Sequence, residues 1–192
     1  MEDLSLNVLD IAQNSVRAGA SLIEISLEQE RAAHKQTIVI KDNGCGMDEE
    51  KLQRVTDPFF TTRTTRKVGL GIPFYRMAAE QTGGEFLIES AVGVGTTVTA
   101  VFVTDHIDCM PLGDMTQTVV SLIGCNPDLD FIYSYSVDGK RFVADTRQFR
   151  QQLEGVPLNT YEVLRFIEDY INENVSALNE GGAEQKESEG YL

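Results

Sequence analysis

The hydrophobic period of this chain switches from helical to strand-like and back within its first hundred residues, and that order constrains the fold most. Leu6, Leu9, Ala12 and Val16, with Val8 and Ile11 beside them, lie near one helical stripe between Leu4 and Ala18, and Gly19 follows as a stop. Leu22–Leu27 and Thr37–Lys41 then alternate or run β-branched across a polar turn, the pattern of a hairpin. Asp48–Val55 reads as a short helix, capped by Asp48 and acidic in its first turn. Residues 56–68 have no period and read as a loop. Ile72–Gln81 reads as a helix that tolerates Pro73 in its first turn and stops at Gly83-Gly84. Glu85–Ser90 and Thr96–Val103 make a second hairpin around Gly93-Val-Gly95. The order α, β, β, α, loop, α, β, β predicts an α+β fold with helices packed on one face of a mixed sheet.

The second half is less regular. Gly113–Ile123 and Thr160–Val175 read as helices, the latter amphipathic. Phe131–Ser136 and Arg141–Ala144 read as a hairpin turned at Asp138-Gly139. Residues 179–192 are polar and predict a disordered tail. The expected organisation is a domain over 1–104, a smaller acidic α+β extension over 105–178, and that tail.

Charge narrows the partners. Of a net −14, residues 1–104 hold 10 basic and 14 acidic side chains, and residues 105–192 hold 6 and 16. So acidic a second half repels polyphosphate and anionic lipid, so nucleic-acid binding is not expected. No apolar run reaches the roughly 18 residues of a membrane span, and the acidic N-terminus does not suit a secretory signal. Cys45, Cys109 and Cys125 are odd in number and form no CxxC, which fits a reduced, cytoplasmic protein better than a disulfide or zinc scaffold.

Four clusters carry candidate chemistry. Asp10 and Asn14 sit one helical turn apart, so a carboxylate and a carboxamide share one face. An Asn carbonyl is a hard oxygen ligand for Mg²⁺, and the neighbouring carboxylate can orient or deprotonate a water. Asp42-Asn-Gly-Cys-Gly46 follows a β-branched run, and its glycines permit positive φ and close approach to a ligand. A carboxylate at that strand end can accept from an exocyclic amine, which would tell adenine from guanine. The run from Asp57 to Gly71 concentrates four threonines with Arg63, Arg66 and Lys67 before a helix start, a combination suited to a triphosphate. It lacks GxxxxGK[ST], so it is no Walker A loop. Gly93-Val-Gly-Thr-Thr97 alone is a hairpin turn.

In their joint order these motifs resemble the GHKL ATPases: gyrase, heat-shock chaperones of that class, histidine kinases and the mismatch-repair protein MutL. LDIAQNSVRAGAS at 9–21 and DNGCGM at 42–47 are closest to the MutL wording. DPFFTTR at 57–63, GLGI at 69–72 and GGEFLIESAVGVGTTVTAVF at 83–102 are similar to the histidine kinases. The resemblance covers residues 4–104 and implies a two-layer α/β sandwich of the Bergerat type that binds ATP with Mg²⁺. It implies Mg²⁺ coordination by Asn14, adenine recognition by Asp42, and a base pocket shaped by Gly44 and Gly46. It further implies that Gly69, Leu70 and Gly71 wrap the phosphates beneath a lid bearing Thr61, Thr62, Arg63 and Lys67. Arg17 takes a phosphate-facing position, and Thr96 supports the Asp–adenine contact through water. Asp10 aligns with the Glu general base of the hydrolytic members, one methylene shorter.

A phosphoacceptor helical hairpin is not expected here, since the first motif lies close to residue 1 and neither His34 nor His106 has the kinase context. The expected function is a slow Mg-dependent ATPase whose lid closure regulates a protein partner. The alternatives are a protein kinase acting in trans on a partner's Ser, Thr or His, and an adenine-nucleotide sensor that does not hydrolyse.

Overall fold

The structure, a computed structural model, describes residues 3–56 and 71–181. Helix α1 spans Leu4–Arg17, and the Asp3 carboxylate caps it by accepting from the Leu6 N–H. Gly19 ends it at φ +71°, a conformation that suits glycine. The chain then makes strands β1 (Leu22–Glu30) and β2 (Lys35–Asp42), a longer hairpin than the apolar runs alone predict. Helix α2 (Glu49–Thr56) starts under the Asp48 side chain, which accepts from the Lys51 N–H at 2.8 Å. Helix α3 (Gly71–Gln81) carries Pro73 in its first turn, and β3 (Glu85–Ala91) and β4 (Gly95–Val103) close the first half.

The extension builds α4 (Met115–Cys125), β5 (Asp130–Val137), β6 (Lys140–Asp145), α5 (Thr146–Gln152) and α6 (Tyr161–Glu180). It does not stand beside the first hundred residues as an appendage. Strand β5 pairs in parallel with β1, from Leu22 opposite Asp130 to Gln29 opposite Val137. The result is one mixed six-stranded sheet in the order β3-β4-β2-β1-β5-β6, antiparallel at every other junction. Two corrections follow. Helix α5 has no counterpart in the sequence reading, and α6 runs on to Glu180, so Asn179 and Glu180 belong to a helix rather than to a tail.

Alternation along the strands explains the layers. Ile23, Ile25 and Leu27 of β1, Ile38 and Ile40 of β2, and Val98, Ala100 and Phe102 of β4 are buried on one face. Phe131, Tyr133 and Tyr135 of β5 and Phe142 of β6 continue that face. Leu4, Val8, Ile11 and Ala12 of α1 pack on it, with Tyr75 of α3, Leu122 of α4 and Ile167 of α6. The opposite face is polar at Glu24 and Lys41, which pair at 3.1 Å, and leaves Leu87 54% exposed. This is a two-layer α/β sandwich, with the first and second halves sharing a single core.

Candidate functional site

Asp42 is the last residue of β2, in register with Ile23 on one side and Thr96 on the other, and only 8% exposed. Three neutral donors hold its carboxylate. Ser15 Oγ donates to Oδ2 at 2.6 Å, while the backbone N–H groups of Gly44 and Thr96 donate to Oδ1 at 2.9 and 3.3 Å. No cation pairs with it among the described residues. Each carboxylate oxygen offers about two acceptor directions, so Oδ2 retains one for a further donor.

Glycines let three chain segments converge around that carboxylate. A Cβ on Gly44 would lie 2.9 Å from Ala18 Cβ and 3.0 Å from Asp42 Oδ1. Gly46 has φ +65°, and a Cβ there would meet the Ala91 carbonyl oxygen at 1.9 Å. The turn is tied to the end of α1 by the Cys45 N–H donating to Ala18 O at 2.9 Å. It is tied to the second hairpin by the Gly93 N–H donating to Cys45 O at 2.8 Å. The DNGCG turn, the last turns of α1 and the GVGT hairpin, distant in sequence, therefore form one cradle.

The remaining predicted residues fall on its rim. Asn14 is half-buried on α1, and its Oδ1 accepts from Arg17 Nη1 at 3.4 Å. Asp10 is exposed one turn earlier, against the start of α3: a Cβ on Gly71 would sit 3.2 Å from Asp10 Cβ and 3.5 Å from its Oδ2. Thr96 reaches Asp42 through its backbone N–H, and its hydroxyl lies 2.8 Å from Ser90 Oγ. Thr61, Thr62, Arg63, Lys67, Gly69 and Leu70 lie outside the described residues.

Two contributors escaped the sequence reading. Ser15 is 3% exposed yet polar, standing one turn beyond Ile11 on the sheet-facing stripe of α1. A hydroxyl in an apolar stripe is the signal that could have found it. Ser90 accepts from the Met47 N–H at 2.8 Å and donates to Gly95 O at 3.0 Å, so it pins the glycine turn to the hairpin. Nothing in the local pattern of β3 marks it.

The cradle fits an adenine nucleotide on its own chemistry. A buried carboxylate with a spare acceptor direction faces closely packed backbone that any side chain would obstruct. For Mg²⁺, the Asn14 carbonyl is a suitable oxygen ligand once Arg17 releases it, and such an ion commonly takes one or two protein ligands with phosphate and water completing its shell. Among the described residues no group of three or more His, Cys, Asp or Glu side chains gathers to hold a metal without such help.

Residues 2–106 match the family described as histidine kinase-, DNA gyrase B-, and HSP90-like ATPase. The chain belongs to this family. Signal transduction histidine-protein kinase AtoS of Escherichia coli strain K12 is 32% identical over 95 residues, 49% of this chain and 16% of AtoS. Sporulation kinase C of Bacillus subtilis strain 168 is 31% identical over 88 residues, 46% of this chain and 20% of that kinase. The chain thus spans a fifth or less of the length of these relatives. The Aquifex aeolicus MutL ATPase domain complexed with ADP overlays with a TM-score of 0.46 at 16% identity, covering 80% of this chain and 70% of that one. The match over residues 2–106 shows the ATP-binding domain of this family here. No helix among the described residues is long and apolar enough to cross a membrane.

Proposed function

We propose that this chain binds Mg²⁺-ATP, hydrolyses it slowly, and uses the resulting change in its Thr- and Arg-rich segment over 57–70 to regulate a protein partner. One observation carries the reading: among the described residues Asp42 is buried, held only by neutral donors, and keeps an acceptor direction for a further donor beside the glycine cradle. An adenine amine supplies the missing donor. Guanine would present a carbonyl oxygen to the same carboxylate, an unfavourable pairing of two acceptors. Bound Mg²⁺ would neutralise phosphate charge, with Asn14 as its protein ligand. The exposure of Asp10 and its nearness to the start of α3 support a general-base role, orienting or deprotonating water. Its side chain is one methylene shorter than Glu, which favours slow turnover.

A second reading, phosphoryl transfer in trans to a partner's Ser, Thr or His, draws on the likeness to histidine-protein and sporulation kinases. Calorimetry and a turnover assay on the full chain with Mg²⁺ test both. Binding of ATP at least about tenfold tighter than GTP is expected, with slow phosphate release that Asp10→Asn abolishes. Binding without turnover in either protein would leave a nucleotide sensor. Transfer of labelled γ-phosphate to a protein substrate would select the kinase. No ATP binding would overturn all three.

A further inference from the structure

Two cavities of about 320 Å³ each lie away from the nucleotide cradle and share Leu112 as a wall. The first stands at the opposite end of the sheet from Asp42, where β1 ends at Glu30 and β2 begins at Lys35. Its outer wall is the strap Cys109–Leu112, which is anchored to α1: the Leu4 and Ser5 N–H groups donate to Pro111 O and Leu112 O at 3.0 and 2.9 Å.

The charge and hydrogen bonding of that cavity are unusual for this molecule. Arg31 and Lys35 both line it, and neither forms an ion pair among the described residues, in a chain of net charge −14. Arg31 uses Nη2 to donate to the Asn179 side chain and carbonyl at 3.0 and 3.2 Å, which fixes the guanidinium while leaving Nε and Nη1 without a partner among the described residues. Gln36 is only 4% exposed and lines the same space. Its Oε1 accepts from Gln29 Nε2 at 3.2 Å, and its Nε2 donates to no described group. The opposite acceptor of Gln29 is 3.2 Å from the Tyr135 hydroxyl, so the amide pair is held in orientation from behind. The Gln36 amide nitrogen thus keeps donor capacity that water or a ligand in the cavity can meet.

We propose that this cavity is a second ligand site, for a small organic polycarboxylate. Two cations call for more than one negative charge, and the Gln36 amide and Thr104 hydroxyl add neutral donors for carboxylate oxygens. Met110 and Leu112 supply an apolar side for a short carbon skeleton, which inorganic phosphate lacks. Glu30 on the same rim offsets part of the positive field and disfavours ligands that reach beyond Arg31 and Lys35. The volume is at the low end for small-molecule sites and suits a compact metabolite rather than a nucleotide.

The test is a nuclear magnetic resonance titration of the full chain, without nucleotide or Mg²⁺, using citrate and inorganic phosphate as probes. Citrate should shift the amide signals of Arg31, Gln36, Thr104 and Met110 saturably. Arg31→Gln should weaken that binding about tenfold, and Lys35→Gln by a smaller factor. Should Arg31→Gln disturb folding through its tether to Asn179, Met110→Trp fills the same space and should abolish binding. Asp42→Asn should leave citrate binding intact, so this site and the nucleotide site fail independently. Absence of saturable shifts, shifts that survive both Arg31→Gln and Met110→Trp, or phosphate binding as tightly as citrate would each overturn the proposal.

Discussion

Asp42 and Asp145 occupy equivalent places in the two halves of the sheet and are treated in opposite ways. Each is the last residue of a strand and nearly buried, at 8% and 9% exposure. Asp145 caps α5 by accepting from the Arg147 N–H at 2.9 Å, and the Arg147 guanidinium clasps it with contacts of 2.7, 3.0 and 3.2 Å. The hydrogen bond from Arg147 holds its carboxyl below the usual carboxylate range against the opposing effect of burial. Among the described residues Asp42 has no such partner and relies on a hydroxyl and two backbone N–H groups. The lesson concerns satisfaction: a carboxylate matched by a fork of cationic donors is structural, whereas one steadied by neutral donors retains capacity for a ligand.

The sharpest way to break that contrast is to remove the charge from each in turn. Asp42→Asn turns one acceptor into a donor facing either its own neutral donors or the adenine amine. ATP affinity should fall by about 3 kcal/mol, roughly a hundredfold, in calorimetry. Asp145→Asn should leave ATP affinity within about twofold of the original. A comparable loss from both substitutions would show that the two carboxylates are alike and that the distinction is void.

Ser15 sharpens the same comparison from the second neutral donor. Ser15→Ala deletes the 2.6 Å bond to Asp42 Oδ2 without adding bulk. The carboxylate loses its orientation while keeping both backbone donors, so an ATP affinity loss of about 1 kcal/mol is expected, and Ser15→Thr should restore part of it. Affinity unchanged by Ser15→Ala would mean that Gly44 and Thr96 suffice to fix the carboxylate.

One side of this contrast is legible in the sequence. Asp42 announced itself through the glycines that follow a β-branched run, because positive φ and close backbone approach leave a compositional trace. The pairing of β1 with β5 left none. Parallel contact between Leu22–Gln29 and Asp130–Val137 depends on a connection of about a hundred residues, and neither strand's pattern names its neighbour. Helix α5 was missed because its seven residues, TRQFRQQ, bury only Thr146 and Phe149, too few to set a period. Ser15 was missed for a different reason: its role is a single long-range bond, and Asn14 beside it drew the chemical reading.

Acid titration probes the Asp145 clasp by a smaller effect. Because the folded-state value of Asp145 is depressed, its ionised form is favoured more in the folded than in the unfolded chain. Its stabilising contribution is present above the ordinary carboxylate range and is lost as pH falls through the depressed folded value. Thermal unfolding of the original chain and Asp145→Asn should therefore differ most near neutrality and converge at strongly acidic pH. A difference that stays constant between neutral and acidic solution would place the stabilisation in cap geometry rather than in charge.

Tyr75 supplies the limiting case, a buried polar group that neither kind of partner meets among the described residues. Its ring is fully buried on α3, 5.5 Å between centroids from Phe102 and 6.4 Å from Phe86, and its hydroxyl has no hydrogen-bond partner among the described residues. Burial drives its ionisation far above the usual tyrosine range, so the hydroxyl stays neutral at any working pH. Tyr75→Phe removes the unmet donor and keeps both aromatic contacts. If an unmatched hydroxyl is the burden that the partners of Asp42 and Asp145 avoid, the substitution should change stability by less than about 0.5 kcal/mol or raise it slightly in denaturant unfolding. A loss of 1 kcal/mol or more would reveal a partner for Tyr75, most simply a buried water, and would place this tyrosine with the satisfied groups.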